Sequence, residues 1–177
     1  MNLEHEFTYV ATLKPPVEIG AGPFGRRNFF EVIGGTVEGK RLKGKILTGG
    51  GDWLLIGPDG YGRLDVRAQF LTDDGAVLYI HYTGLLQMNQ KVADALAKGA
   101  STDYGDQYFR TTPRFETGDP RYAWLNQSIF VAEGRVGPGR VEYKVYRVAS
   151  SDPAASSDSP LSRHPNQARV RLLFTIP

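Results

Sequence analysis

Charged side chains interrupt an otherwise apolar strand pattern near the middle of the chain. Within residues 64–70, Asp65 and Arg67 occupy alternate positions, and the apolar residues occupy the positions between them. Successive side chains of a strand point to opposite faces, so the carboxylate and the guanidinium share one face. We expect that face to be the lumen of a closed barrel, where an ionised Asp beside an Arg could orient a ligand or act as a base. The alternative is a structural ion pair that fixes the strand register.

Two further residues complete the candidate catalytic set. Asp52 follows three consecutive glycines, and its carboxylate could stand at the mouth of a barrel or cap the bend by accepting backbone amides. His81 lies on the next predicted strand. It could be an acid or base if it shares the face of Arg67, and it is a structural hydrogen bonder otherwise. The candidate catalytic residues are therefore Asp52, Asp65, Arg67 and His81.

Aromatic and amphipathic residues are suited to line a small-molecule cavity, although the aromatic ones could equally form an ordinary core. The expected walls are Trp53, Tyr82, Tyr108, Tyr122 and Trp124. Asn126 would serve as a polar anchor. Arg27, beside a glycine loop, and Arg110 would each hold an anionic group of the ligand. Arg110 could instead pair with Glu116 or Asp119.

One glycine-rich segment spells a dinucleotide-binding fingerprint, Gly20-Ala21-Gly22-Pro23-Phe24-Gly25. That fingerprint requires a strand before it and a helix N-terminus after it, because the helix amides hold the pyrophosphate. Here the following residues read as a strand, so we expect a simple loop. The chain contains three histidines that are not clustered and no cysteine. We therefore expect neither a cofactor nor a metal site.

The elements that must position these residues are mostly strands. Runs rich in β-branched and aromatic residues predict strands at 6–13, 28–37, 41–47, 53–56, 61–72, 76–86, 108–115, 122–133 and 140–148. Residues 88–98 predict the one helix, with Gly99 at its C-cap position. Many short strands separated by glycine-rich turns favour a mostly antiparallel barrel or sandwich.

Several phrases of the sequence, taken in order, resemble domain-of-unknown-function family 3237, a bacterial and fungal family of single-domain proteins also known as UPF0311. They are the Gly-Gly-Asp-Trp bend at 50–53, the Asp-Val-Arg strand at 65–67, the Asp-Asp-Gly hairpin at 73–75 and the Tyr-Phe-Arg to Trp-Leu-Asn stretch at 108–126. The resemblance covers residues 6–148. It implies a compact antiparallel β-barrel similar to the calycin and allene-oxide-cyclase type, and it implies no settled chemistry.

Composition limits the classes of partner. The chain has 177 residues, a formal net charge of +2 and 41% hydrophobic residues, and its basic residues are dispersed among acids. A nucleic-acid-binding protein usually shows a basic stripe, so we expect no nucleic-acid partner. No stretch approaches the roughly 20 apolar residues that span a bilayer, and the first residues do not resemble a signal peptide. We expect a cytoplasmic protein that binds a small molecule, forms a homo-oligomer and contacts no membrane.

The sequence divides into three parts. Residues 1–148 carry the strand patterns and are expected to form one β-barrel domain. Residues 149–160, rich in Ser, Ala, Asp and Pro, have the composition of a flexible linker. Residues 161–177 form a C-terminal extension that ends in a strand-like apolar run. It is either a disordered tail or a strand that docks on a sheet edge.

These observations support three readings of function. The first is a small-molecule-binding barrel that acts as an isomerase, cyclase or lyase without a cofactor, through polar groups in its lumen. The second is a carrier or sensor that uses the same cavity without catalysis. The third is an oligomeric structural protein whose barrel is filled with side chains. A cavity separates the first two from the third, and a carboxylate of raised pKa inside it favours the first.

Overall fold

Strands dominate the computed structural model, which describes residues 1–151. The eleven strands are β1 (Asn2–Leu13), β2 (Val17–Gly22), β3 (Gly25–Gly39), β4 (Lys43–Ile46), β5 (Gly50–Ile56), β6 (Tyr61–Thr72), β7 (Val77–Gln87), β8 (Phe109–Thr111), β9 (Arg114–Glu116), β10 (Phe130–Gly137) and β11 (Arg140–Ala149). Helix α1 spans Gln90–Lys98, and a one-turn 3-10 helix at Pro120–Tyr122 leads into the short helix α2 at Ala123–Asn126.

Antiparallel pairing closes the sheet into a barrel. Its wall runs β6-β5-β3-β1-β11-β10-β8-β7, and β7 pairs with β6 along its whole length to complete the ring. Strand β4 bridges β3 and β6 beyond the end of β5, whereas β2 pairs only with β3 and β9 only with β7. The expected mainly antiparallel β-barrel is confirmed.

Strand β6 shows which face of the sheet is the lumen. Leu64, Val66 and Phe70 are buried, whereas the side chains of Asp65 and Arg67 are 46% and 48% exposed. The prediction that these two charged residues face the lumen is therefore wrong. Closing the barrel buries one face of each strand, and the apolar set of β6 occupies it, so the alternate charged set lies in solvent.

Aromatic side chains fill one end of the barrel. The Phe115 ring lies 5.5 Å from that of Phe7, 6.4 Å from that of Phe70 and 5.1 Å from that of Phe130, measured between centroids. The first and last of these contacts are edge-to-face, the arrangement that aromatic quadrupoles favour. This end is a packed core, and any ligand space must lie at the other end.

The helix expected at residues 88–98 is confirmed as α1. The Asn89 side chain accepts a hydrogen bond from the Val92 amide at 3.1 Å, and Gly99 adopts the left-handed conformation that ends the helix. Val92 and Ala95 are buried against the barrel. The helix is inserted between β7 and β8.

The strand predicted at residues 122–133 is wrong in its first half. Asp119 caps the amide of Arg121, and Pro120 follows at the first helical position, so the chain turns helical through Asn126. The strand β10 begins only at Phe130. The aromatic residues that suggested a strand are here buried by a helical turn packed on the end of the barrel.

The glycine-rich fingerprint at residues 20–25 forms the β2–β3 hairpin, in which Gly22 pairs with Gly25. Strand follows it and no helix does, so the segment lacks the helix N-terminus that a dinucleotide site requires. The structure describes only the first three residues of the predicted linker at 149–160. The rest of the linker and the extension at 161–177 lie outside the described residues. Both remain predictions.

Replacement of Gly35 tests how closely the strands approach one another. Gly35 has a φ of +142°, and a Cβ there would overlap the carbonyl oxygen of Val10 on the neighbouring strand. Gly35→Ala is expected to lower the free energy of unfolding by about 2 kcal/mol or more in urea titrations. Gly118→Ala is the matched control, because a Cβ at Gly118 meets nothing within 4 Å. Equal stability of the two variants would contradict this packing.

Candidate functional site

A cavity of about 350 Å³ occupies the end of the barrel opposite the phenylalanine core. Its volume is near the lower limit of small-molecule sites, which span about 300–1,000 Å³. The inner walls are almost wholly apolar and consist of Ala11, Phe30, Val32, Leu54, Leu64, Val66, Leu86 and Phe109. The barrel is therefore not completely filled by side chains, and this cavity has the volume that a small molecule would require.

Three segments surround the mouth of this cavity. They are the loop after β1, with Pro15 and Pro16, the β10–β11 turn at residues 137–140, and the C-terminal half of α1, with Ala95 and Leu96. The amide of Leu13 donates to the carbonyl of Gly139 at 2.8 Å, which joins the first two segments. The inserted helix thus covers part of the opening.

Among residues 1–151, Asp52 is the only carboxylate in the lining of this cavity. The β5–β6 ladder pairs Asp52 with Val66 and resumes at Leu55 with Arg63. Between these points, the backbone amide of Asp65 donates to Oδ1 of Asp52 at 3.1 Å. The side chain therefore takes the place of a ladder acceptor, and this fixes the carboxylate against the wall of the lumen.

Burial raises the pKa of Asp52 to about 7. Loss of hydration is the largest cause, because it disfavours the charged form. The hydrogen bond from the Asp65 amide lowers the pKa, and the negative charge of the Asp65 carboxylate on the outer face raises it. With a pKa near 7, about half of the molecules carry a proton on Asp52 at neutral pH.

Three tyrosines lie beside this carboxylate. Tyr82 and Tyr143 line the cavity with rings 5.5 Å apart, and the ring of Tyr9 lies 4.9 Å from that of Tyr143. Burial raises the pKa of each phenol well above 10, and the negative charge of Asp52 raises it further. All three therefore stay neutral and can donate hydrogen bonds. We call Asp52, Tyr82 and Tyr143, with Tyr9, the polar cluster.

The hydroxyl of Tyr9 is buried and has no hydrogen-bond partner among the described residues. Leaving a buried hydroxyl unpaired costs roughly 1–3 kcal/mol, so such groups are rare in folded proteins. Tyr9 is not itself among the residues that line the cavity, and Tyr82 is its neighbour in the polar cluster.

Of the twelve residues predicted for the site, only Asp52 and Tyr82 line the cavity. Asp65, Arg67 and His81 do come together, but on the outer face. Arg67 donates to Oδ1 of Asp65 at 3.0 Å, and Nε2 of His81 lies 3.4 Å from the same atom. These three residues are exposed on the outside of the barrel wall, whereas Asp52 lies on the inside. Asp65 and Arg67 thus form an ion pair, as the alternative reading expected, but the pair is exposed and lies within one strand, so it does not fix the register between strands.

Trp53 and Arg27 also lie on the outer face. The Trp53 side chain is 39% exposed and packs on Phe29 with ring centroids 4.8 Å apart. Arg27 donates to the carbonyl oxygen of Trp53 at 3.0 Å. Strand alternation explains both positions, because Asp52 faces inward and its neighbour Trp53 must face outward. The prediction that Trp53 forms a wall is wrong.

The late residues do not line the cavity either. Tyr108 is 51% exposed and lies beside the guanidinium of Arg110, which approaches Glu133 at 3.8 Å. Tyr122 donates to the Asp74 carboxylate at 3.0 Å.

Two further residues of the late segment have structural contacts of their own. The guanidinium carbon of Arg41 lies 3.7 Å from the centre of the Trp124 ring. The side chain of Asn126 accepts from the backbone amide of Thr117 and donates to its carbonyl oxygen. These contacts fix loops and helical turns around the filled end of the barrel. The predicted roles of all these late residues in ligand binding are therefore not supported by their placement.

Sequence reasoning missed Tyr9 and Tyr143. Both alternate with inward apolar neighbours, Tyr9 with Phe7 and Ala11, and Tyr143 with Val145. That parity would have placed them in the lumen. Nothing in the sequence alone, however, brings the N-terminal strand and the last strand side by side, as the β1–β11 pairing does.

Within residues 1–151, no group of three or more His, Asp or Glu side chains is arranged to hold a metal ion. The helices of this part of the chain are all too short or too polar to cross a membrane.

Comparison with known proteins then identifies the family. The model of the family described as protein of unknown function (DUF3237) matches residues 1–148. The chain belongs to this family. A UPF0311 protein from Clostridium acetobutylicum is 36% identical over 150 residues, covering 84% of this chain and 95% of its own length. A second, from Rhodopseudomonas palustris, is 34% identical over 148 residues and is covered over 97% of its length.

Solved structures of DUF3237 relatives share the fold. Those from C. acetobutylicum and R. palustris superimpose with TM-scores of 0.74 and 0.76, each over 84% of this chain and over 100% and 97% of their own chains. A structure from Acinetobacter baumannii, described as a beta-barrel like protein, is 33% identical, with a TM-score of 0.70 over 82% of this chain and 94% of its own. An enzyme from Penicillium herquei has a TM-score of 0.62 at 20% identity, covers 84% and 94% of the two chains and shows the fold alone.

The raised pKa of Asp52 predicts a specific dependence of stability on pH. The folded state binds the Asp52 proton more tightly than the unfolded state, whose pKa is 3.8, so stability falls as pH rises from about 4 to about 7. Asp52→Asn keeps the acceptor for the Asp65 amide and removes the charge. At pH 8 its free energy of unfolding, measured by urea titration, should exceed that of the wild type by up to about 4 kcal/mol. Near pH 4 the charge of Asp52 should make no difference between the two proteins.

Asp73→Asn, at an exposed position in the β6–β7 turn, is the control and should show no such pH-dependent difference. A difference between Asp52→Asn and the wild type that stays flat between about pH 4 and about pH 8 would contradict a raised pKa.

Asp65 provides a second electrostatic prediction. Asp65→Asn retains the backbone amide that binds Asp52 and removes the carboxylate charge that raises its pKa. The pKa of Asp52 should therefore fall relative to the wild type when the chemical shift of its carboxyl carbon is followed by NMR titration. Asp73→Asn should leave it unchanged. An unchanged or higher pKa in Asp65→Asn would show that the outer charge does not act through the wall.

Proposed function

We propose that this protein is a small-molecule-binding β-barrel that acts as a cofactor-independent acid–base enzyme of the isomerase, cyclase or lyase kind. One observation carries the proposal: a carboxylate with a pKa near 7 lies among the apolar inner walls of the cavity, next to neutral phenols. Burying a carboxylate without an ionic partner is costly, and such groups concentrate at functional sites.

Asp52 has the properties of a proton carrier. A general acid or base works best when its pKa is close to the working pH, because both protonation states are then populated. In the cavity its ionised form is a stronger base than a hydrated carboxylate, since little water solvates it. After accepting a proton it is neutral, and so can return that proton to another atom of the same bound molecule.

The phenols supply the complementary part. When a base removes a proton from a carbon next to a carbonyl group, the electron pair of the C–H bond moves onto the carbonyl oxygen and forms an enolate. Tyr82 and Tyr143 stay protonated well above neutral pH and can donate hydrogen bonds to that oxygen. Return of the proton from Asp52 to a different carbon completes an isomerisation with all atoms and electrons balanced.

The apolar walls define the substrate class. A largely hydrophobic molecule with one oxygen function would bury its body against the aliphatic lining and present the oxygen to the polar cluster. The barrel fold also occurs in an enzyme from P. herquei, which supports the idea that this architecture can carry catalysis. The homo-oligomer and the cytoplasmic location remain predictions.

Deuterium exchange into an enolisable bicyclic ketone tests the proposal. The wild type in D₂O should bind 2-tetralone and accelerate loss of its C1 proton signals, followed by NMR. Asp52→Asn should retain binding and lose about 10²-fold or more of the acceleration, the contribution typical of a general base. Tyr82→Phe should slow exchange while leaving binding measurable, because one oxyanion donor is gone.

Asp73→Asn is the matched control and should behave as the wild type. Binding without accelerated exchange would favour the non-catalytic carrier or sensor. Exchange that is equally fast in Asp52→Asn would remove Asp52 from the mechanism.

A further inference from the structure

Charged residues line the cavity both in its interior and at its mouth. Asp52 lies in the polar cluster, and two cationic residues, Lys14 and Arg140, lie among the residues of the mouth. An apolar molecule needs no cation at the entrance, so each of these two side chains requires an explanation. Their surroundings distinguish them.

Lys14 already has a partner, because its Nζ lies 2.8 Å from Oε2 of Glu31. Arg135, close to the mouth, is likewise paired with Glu142 at 2.8 Å, and Glu142 also accepts from Tyr104 at 2.9 Å. Within residues 1–151, Arg140 makes no ion pair. Its charge acts on Glu142 from a distance, but it is the cation of this opening that no carboxylate of the described residues contacts within 4 Å.

Arg140 stands between the cavity and a smaller polar pocket. This side pocket has a volume of about 160 Å³ and contains the hydroxyl-bearing residues Ser101 and Thr102. Val136, Gly137 and Arg140 line both spaces. A ligand atom that leaves the apolar cavity at this point meets a guanidinium and polar side chains rather than more hydrocarbon.

Gly137 holds the Arg140 side chain in this place. A Cβ on Gly137 would lie 3.0 Å from Nε of Arg140 and 3.3 Å from its Cγ. The arginine side chain therefore folds back over the bare backbone of Gly137. A larger residue at 137 would press against the arginine side chain and shift it from its present position.

We propose that the ligand of this cavity carries a carboxylate, which Arg140 binds at the mouth. This inference rests on the proposed function, since it extends the same site. A guanidinium presents paired N–H donors that match a carboxylate, and one unpaired Arg balances one negative charge. A doubly charged phosphate fits less well, because Glu142 faces the same side pocket.

This arrangement sets the direction of the ligand. The carboxylate stays at the mouth, in partial contact with water, so little of its hydration is lost. The apolar body passes inward, and its far end reaches Asp52 and the phenols. Binding in the opposite direction would place two carboxylates together in the apolar interior, which is strongly unfavourable. The ligand is therefore an amphipathic acid whose reactive oxygen function is remote from its carboxylate.

A matched pair of probes tests the proposal on the full chain. 4-(2-naphthyl)butanoate and 4-(2-naphthyl)butan-1-ol share one apolar body and differ in the charge of the end group. By isothermal titration calorimetry at low ionic strength, the wild type should bind the carboxylate about tenfold more tightly than the alcohol. This preference should shrink in about 0.5 M salt, because the contact is close to solvent.

Three variants locate the charge responsible. Arg140→Gln should abolish the preference and leave alcohol binding unchanged, with an unaltered unfolding midpoint. Gly137→Ala retains the charge but displaces the guanidinium, so it should reduce the preference. Lys14→Gln should retain most of it, because Lys14 is paired with Glu31. Arg26→Gln, at an exposed position in the β2–β3 hairpin, is the remote control.

The outcomes separate this proposal from the function on which it rests. Equal affinity for the two probes in the wild type would overturn the carboxylate site while leaving a ligand cavity in place. A preference that survives Arg140→Gln and disappears in Lys14→Gln would also overturn it. Failure of both probes to bind would count against the cavity as a binding site altogether.

Discussion

Strand alternation in a closed ring is the constraint on which this structure depends. Once β6 and β7 pair, every strand of the barrel must turn one set of side chains into the lumen, and the size of that set decides how full the lumen is. Phenylalanines fill one end. Aliphatic residues and Ala11 leave space at the other. The cavity therefore forms where the inward side chains are too small to fill the lumen. It lies within a single barrel and not between two domains.

Within that wall, Asp52 is the residue whose presence packing does not explain. An apolar side chain in its place would spare the protein the cost of burying a carboxylate. The Asp65 amide supports one oxygen, and no cation is paired with the other within residues 1–151. Retaining such a group in the lumen lowers stability, a cost that natural proteins commonly bear at functional sites.

The sequence predicted the elements better than the faces. Strand-forming runs and the helix ended by Gly99 depend on local chemistry and were identifiable, whereas strand β2, where only a loop was expected, was not predicted. Whether Asp65 or Val66 faces inward depends on barrel closure, which is a property of the whole sheet. The run at residues 122–133 was misjudged because a capping Asp119 and Pro120 outweigh aromatic strand propensity. Tyr9 and Tyr143 meet only through pairing of the first and last strands.

The hydrogen bond between the Asp65 amide and Asp52 has one more consequence. The barrel wall is a single polypeptide layer, so the lumen and the solvent-facing side are separated by one backbone. Replacing Asp65 would alter the field at the inner carboxylate without changing any residue of the cavity lining. In this chain, the acidity of the cavity and its shape can therefore be changed separately, the first through a surface residue and the second through the lining.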